Sequence, residues 1–251
     1  MTARQPGITV ITARGIGEKI GQNMLTDTVK RLPADRFRIR ELDYSAAYGR
    51  VGGNEAFGVS QEQGRQALLA MIDADPNPVV LCGFSAGAKL VGDVAAEIAD
   101  GKHPHLIVAA VGLIADPARH GSQIVGDDRG GYGITGDRWI GTSKFPVWQF
   151  SAPGDPISEL PIGNPLRTFA DFTEFWGPDQ GRWMQELADR ARVNQWQKWW
   201  SAKNWQSWSG AIYWAQNYLN RQRHIRYSVE NMVGRNVTYT ARLAELIAGL
   251  R

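Results

Sequence analysis

Residues Gly83-Phe84-Ser85-Ala86-Gly87 set a serine between two glycines. The apolar run Val79-Val80-Leu81-Cys82 leads directly into them, and a segment with helical periodicity leads out. This context narrows the possible folds sharply. A serine held on a strained strand-to-helix turn needs glycines two before and two after it, so that the backbone passes without a Cβ clash. Such a turn lifts the hydroxyl above the carboxyl edge of a sheet, over a helix N-terminus that favours developing negative charge. The box therefore predicts a strand–turn–helix unit and a nucleophile, Ser85.

The remaining chain supplies partners for that unit. Strand-like segments fall at Ile8–Ala13, Phe37–Tyr44, Pro78–Phe84, His105–Ala115 and Pro146–Ser151. Helical patterns fall at Asn23–Leu32, Glu62–Asp73, Ala86–Asp100 and Val237–Leu250. About five strands alternating with helices predict an α/β fold with a mostly parallel sheet. Ser45–Ser60 reads as a Gly/Ala-rich loop, and Ala118–Ser143 as a long polar loop of the kind that lies near function. The stretch from Pro156 to Arg223 breaks the alternation and holds eight of the ten Trp. The expected organisation is a catalytic core over 1–156 and 221–251, with a helical, Trp-rich insertion over 157–220.

Several function classes are excluded on this reading. The longest apolar run, Leu106–Ala115, is of strand length, so no transmembrane segment is expected. The first residues, Met1-Thr-Ala-Arg-Gln-Pro-Gly7, lack the apolar region of a Sec signal. One cysteine, Cys82, allows no internal disulfide. The spacing Gly15-x-Gly17-x-x-x-Gly21 is one residue too long for a dinucleotide fingerprint, and so Asp43, at the end of the second strand, is not expected to hold a ribose. His103-Pro-His105 has no third ligand nearby and reads as a turn before a strand, so no metal or other cofactor is expected. Residues 187–229 carry seven Lys/Arg and one acid, Asp189, interleaved with Trp. With a formal net charge of only +3, that pattern reads as packing and a solvated basic face, and no nucleic acid is expected as a partner.

An elbow serine needs a base, and the base needs an orienting carboxylate. On this architecture they follow the serine in the order carboxylate, then histidine. Of the four histidines, His103, His105 and His120 precede the last strand; only His224 follows it. Two carboxylates end strands. Asp155, in Ser151-Ala-Pro-Gly-Asp155-Pro, follows the last strand and is favoured by position. Asp116, in Ala115-Asp-Pro117, reads as a turn cap. Two backbone N–H groups should hold the oxyanion: that of Ala86, and one from the glycine-bearing loop Thr12–Glu18.

The motifs Thr12-Ala-Arg-Gly-Ile-Gly-Glu18, Gly21-Gln-Asn-Met-Leu25, Asp43-Tyr-Ser-Ala-Ala-Tyr-Gly49, the Ser85 elbow, Ala115-Asp-Pro-Ala-Arg119 and Pro153-Gly-Asp155 occur in the order seen in the lysin B family. The chain resembles those phage endolysins over nearly its whole length. The resemblance implies a cutinase-like α/β-hydrolase core and a mycolylarabinogalactan esterase, which frees mycolic acids from the cell wall. It implies the triad Ser85, Asp155 and His224, with Ile16 giving the second oxyanion N–H. It also implies a monomer made in the host cytoplasm and acting on the envelope at lysis. A general cutinase or lipase acting on long-chain acyl esters, an acyltransferase, and a non-catalytic wall-binding module are the alternatives.

Overall fold

The structure is a computed structural model that describes residues 7–47, 52–164 and 223–251. Five strands form one sheet: β1 (Ile8–Ala13), β2 (Phe37–Glu41), β3 (Val79–Phe84), β4 (Val108–Ile114) and β5 (Val147–Phe150). Their order is β2-β1-β3-β4-β5, and every pairing is parallel. Among the described residues the α-helices are α1 (Met24–Val29), α2 (Phe57–Asp73), α3 (Ala86–Ala99) and α4 (Tyr239–Ala248). The expected five-stranded α/β architecture is the one observed.

A sheet covered on both faces needs strands that are apolar throughout, because alternate side chains point to opposite sides. β3 meets this need with six buried residues in a row. On one face Ile11, Leu81, Val111 and Leu113 pack with Leu68 and Ile72 of α2 and Leu90, Val91 and Val94 of α3. On the other, Val10, Val80, Cys82 and Ile114 pack with Met24 and Leu25 of α1 and Leu243 and Ile247 of α4. The chain order reverses between β1 and β3, so their carboxyl ends flank the crevice where parallel sheets place ligands.

Some element ends differ from the sequence reading. α2 begins at Phe57, five residues before the expected Glu62, and takes up the end of the presumed Ser45–Ser60 loop. Its N-cap, Ala56, makes no side-chain hydrogen bond, so no capping residue announced the start. β2 ends at Glu41 instead of Tyr44. Beyond it the Leu42 and Tyr44 carbonyls accept from the Arg14 guanidinium at 3.3 and 2.5 Å, which replaces ladder pairing by a side-chain clamp. β4 begins at Val108 and not His105, because the Leu106 N–H closes a turn on the His103 carbonyl. Of the expected insertion over 157–220, residues 165–220 lie outside the described residues, and so do its Trp residues and the boundary drawn at 220/221. Among the described residues no helix is long and apolar enough to cross a membrane.

Candidate active site

The elbow forms where β3 runs into α3. Ser85 has φ 54° and ψ −119°, a strained conformation for a non-glycine residue. Its N–H is tied to the Ile114 carbonyl at 3.0 Å, and its own carbonyl receives the Ala88 and Lys89 N–H groups. The flanking glycines are required by proximity. A Cβ on Gly83 would lie 2.5 Å from Ala88 Cα, and one on Gly87 would sit inside the Ala13 carbonyl at the end of β1.

Ser85, His224 and Asp155 come together. Ser85 Oγ lies 2.7 Å from His224 Nε2. His224 Nδ1 lies 3.0 and 3.2 Å from the two oxygens of Asp155. His224 is on a short 3₁₀ turn, Arg223–Ile225, and its ring stacks on Phe84 with centroids 5.3 Å apart. Arg223 anchors that turn by donating twice to the Pro153 carbonyl, at 3.0 and 2.9 Å.

Asp155 is fully buried. Burial pushes its carboxyl pKa up, but attraction to His224, with hydrogen bonds from His224, Tyr227 and the Ile157 N–H, outweighs burial and holds it below the usual carboxylate value. Tyr227 donates to Asp155 Oδ2 at 2.5 Å and accepts the Ala152 N–H at 3.0 Å. Ser158 donates to the same Oδ2 at 3.1 Å and meets Ser151 Oγ at 2.7 Å. Burial and the neighbouring Asp155 push the Tyr227 phenol well above its ordinary range, so it stays a donor. Tyr227, Ser158 and Ser151 were not anticipated from sequence; Tyr227 lies three residues after His224, but nothing in that spacing marks it.

Asp116 lies elsewhere. It is buried, accepts the Ala118 N–H at 2.9 Å and pairs with Arg138 at 2.6 Å. The turn-capping role is the one its geometry shows. Asp43 is exposed, between the two residues whose carbonyls Arg14 clamps. His103 faces Glu97 at 3.1 Å and His105 faces Asp73 at 3.4 Å. Among the described residues no cluster of three or more His, Cys, Asp or Glu is placed to hold a metal.

Ser85 and His224 open into a cavity of about 370 Å³. Its wall is largely apolar, with Met24, Phe57, Phe84, Ile134, Ile157 and Ile225. Both expected oxyanion donors, Ile16 and Ala86, line it. Ile16 belongs to a tight turn in which Glu18 N–H bonds the Gly15 carbonyl at 3.3 Å and Gly17 adopts φ 71°. Ala86 is the first residue of α3, where backbone N–H groups have no partner within the helix.

The long loop after β4 is organised by Arg119, which is fully buried. Its guanidinium donates to the carbonyls of Ser158, His120, Gly121 and Gly131 at 2.6 to 3.1 Å. It thereby joins the loop to the segment just after Asp155.

No protein-family model and no curated protein matches the sequence. Solved structures do match the fold. Lysin B from mycobacteriophage D29 aligns with a TM-score of 0.56 and 16% identity, over 97% of this chain and 99% of that one. A cutinase-like protein from Cryptococcus sp. aligns with a TM-score of 0.50 and 21% identity, over 66% of this chain and 86% of that one. The catalytic core domain of acetyl xylan esterase from Trichoderma reesei aligns with a TM-score of 0.50 and 19% identity, over 67% and 93%. The fold is thus that of the cutinase-like α/β-hydrolases, and of these three alignments the one with lysin B covers the largest share of the chain.

Proposed function

We propose that the protein is a serine esterase that hydrolyses long-chain acyl esters of a cell-wall glycan, with mycolyl-arabinogalactan as its substrate. The observation that carries this reading is the continuous line Ser85 Oγ–His224 Nε2/Nδ1–Asp155 at the mouth of an apolar cavity. Ser85 Oγ attacks the ester carbonyl carbon while His224 Nε2 takes its proton. Asp155 keeps the proton on Nδ1 and stabilises the imidazolium. The tetrahedral oxyanion lies against the Ile16 and Ala86 N–H groups. It collapses as the glycan hydroxyl leaves with the proton from Nε2. Water, deprotonated by the same nitrogen, then attacks the acyl-serine and releases the fatty acid.

Support for a long acyl chain comes from the wall. Aliphatic and aromatic side chains line the cavity, and burying hydrocarbon there is worth roughly 0.8 kcal/mol per CH₂. Support for a mycolate ester comes from the likeness to lysin B, which spans the whole chain, whereas the acetyl xylan esterase and the cutinase-like protein match about two thirds of it. The experiment has two arms. Turnover of a p-nitrophenyl ester, abolished by a serine-directed phosphonate, tests the esterase. Mass spectrometry of lipids released from purified mycolyl-arabinogalactan tests the substrate. An esterase that releases no mycolic acid is a general cutinase or lipase.

A further inference from the structure

Glu18 is a carboxylate in the wall of the cavity, and the hydrolytic scheme leaves it without a task. Its two oxygens are both engaged. Oε2 accepts the Gly15 N–H at 2.7 Å, and Oε1 accepts the N–H of Met24, the first residue of α1, at 2.8 Å. The side chain therefore spans the turn that carries Ile16 and ties it to the start of a helix. The Glu18 backbone is held as well, since its carbonyl accepts from Arg14 Nε at 2.9 Å.

The partners of the turn's N–H groups give this bracing a purpose. Gly15 donates to the Glu18 carboxylate, Gly17 to the Ala46 carbonyl and Glu18 to the Gly15 carbonyl. Among the described residues the Ile16 N–H alone of these four has no acceptor. An unpaired N–H beside a nucleophile, in a turn whose other donors are all committed, is a preorganised donor. A neutral amide has a single acceptor oxygen, so only a carboxylate offers one oxygen to each of the Gly15 and Met24 N–H groups, at the cost of burying a charge. That cost is visible, because burial raises the Glu18 pKa against the opposing pull of the Gly15 and Met24 N–H groups and of His224.

We propose that Glu18 is a positioning residue that holds the oxyanion loop, and with it the Ile16 N–H, in the geometry that receives the oxyanion. This rests on the serine-esterase reading. Glu18 touches no reacting atom; it acts through the turn. Loss of the brace leaves ground-state binding alone and weakens only the tetrahedral state, so it should lower kcat without changing KM.

The test compares Glu18→Ala and Glu18→Gln with the wild-type chain on p-nitrophenyl butyrate. A second readout is inhibition by butyl boronic acid, whose tetrahedral adduct with Ser85 places an oxygen where the oxyanion forms. Removing a whole oxyanion donor costs about 10²–10³ in kcat. A misplaced donor costs part of that, so Glu18→Ala should lose roughly 10- to 100-fold in kcat with KM within about threefold. Its boronate affinity should fall in step. Glu18→Gln keeps one acceptor oxygen and should lie between, about three- to tenfold below wild type in both readouts. A folded variant with kcat and boronate affinity at the wild-type level overturns the proposal. So does a kcat loss with boronate affinity intact, or a rise in KM alone. If Glu18→Ala does not fold, Glu18→Gln decides on the same two readouts; if neither folds, Glu18 serves the fold and the positioning role is lost. Ser85→Ala, assayed alongside, separates the two levels: turnover that survives it removes the esterase reading, whereas turnover lost there but kept in both Glu18 variants removes only this inference.

Discussion

Tyr227→Phe removes one oxygen from the deepest part of the site and leaves the ring in place. The phenol donates to ionised Asp155 at 2.5 Å and accepts the Ala152 N–H at 3.0 Å. A hydrogen bond to a charged group contributes about 1.5–3 kcal/mol, and stranding a buried N–H costs about 1–3 kcal/mol more. The ring contacts with Phe84 and Tyr239 survive, so roughly 3 kcal/mol of stability should be lost at neutral pH. In a chain of this size that is about 6–12 °C in Tm. The sign with pH follows from Asp155. Its folded pKa is depressed, so its contribution is present above the unfolded carboxylate value and is lost as pH falls through the folded one. Without Tyr227 the depression is smaller, so the gap between variant and wild type should narrow as pH falls through the carboxylate range. Turnover should fall by only about tenfold, because His224, Ser158 and the Ile157 N–H still hold Asp155. Thermal unfolding followed by circular dichroism near pH 4 and pH 7, beside ester hydrolysis at pH 7, tests all three. An unchanged Tm, a gap that widens in acid, or a loss of activity as deep as that of Asp155→Asn would refute the account.

Ser85→Ala should fold and lose roughly four to six orders of magnitude in turnover; retention of more than about a tenth of the rate removes Ser85 as nucleophile. Asp155→Asn should lower kcat by about four orders of magnitude, since the imidazole loses its orienting anion. Asp116→Asn should instead destabilise the fold through its buried pair with Arg138 while sparing kcat, and equal kinetic losses in the two variants would show that the acid has been misassigned. Gly87→Ala should yield little folded protein, because its methyl would overlap the Ala13 carbonyl; soluble, fully active material would contradict the close approach of β1 to the elbow.

What could be read from the chain was what is local or ordered along it. The Ser85 elbow is a five-residue pattern, and His224 and Asp155 follow from their order relative to the last strand. The strands were legible because β3 and β4 are apolar throughout and β1 is interrupted only by Thr9 and Thr12. Tyr227, Ser158 and Glu18 were not legible as site residues. Their roles come from hydrogen bonds to groups up to 72 positions away, or to N–H groups whose direction depends on a turn. The start of α2 was missed for a related reason: Phe57-Gly-Val-Ser60 has weak helix formers and no capping side chain, and Ser60 is held from outside by Ser45.

The return of the chain at Arg223 has a consequence for how this scaffold can diversify. Asp155 and His224 are 69 positions apart, yet Arg223 is latched to the Pro153 carbonyl two residues from the acid. The spacing of acid and base is thus set by a local latch and not by the length of chain between them. The entropy of closing a loop grows only with the logarithm of its length, about 0.6 kcal/mol per doubling. The number of residues between Asn164 and Arg223 can therefore change at small energetic cost while the latch stays intact. A lineage of such proteins is free to change that stretch of sequence without rebuilding its chemistry.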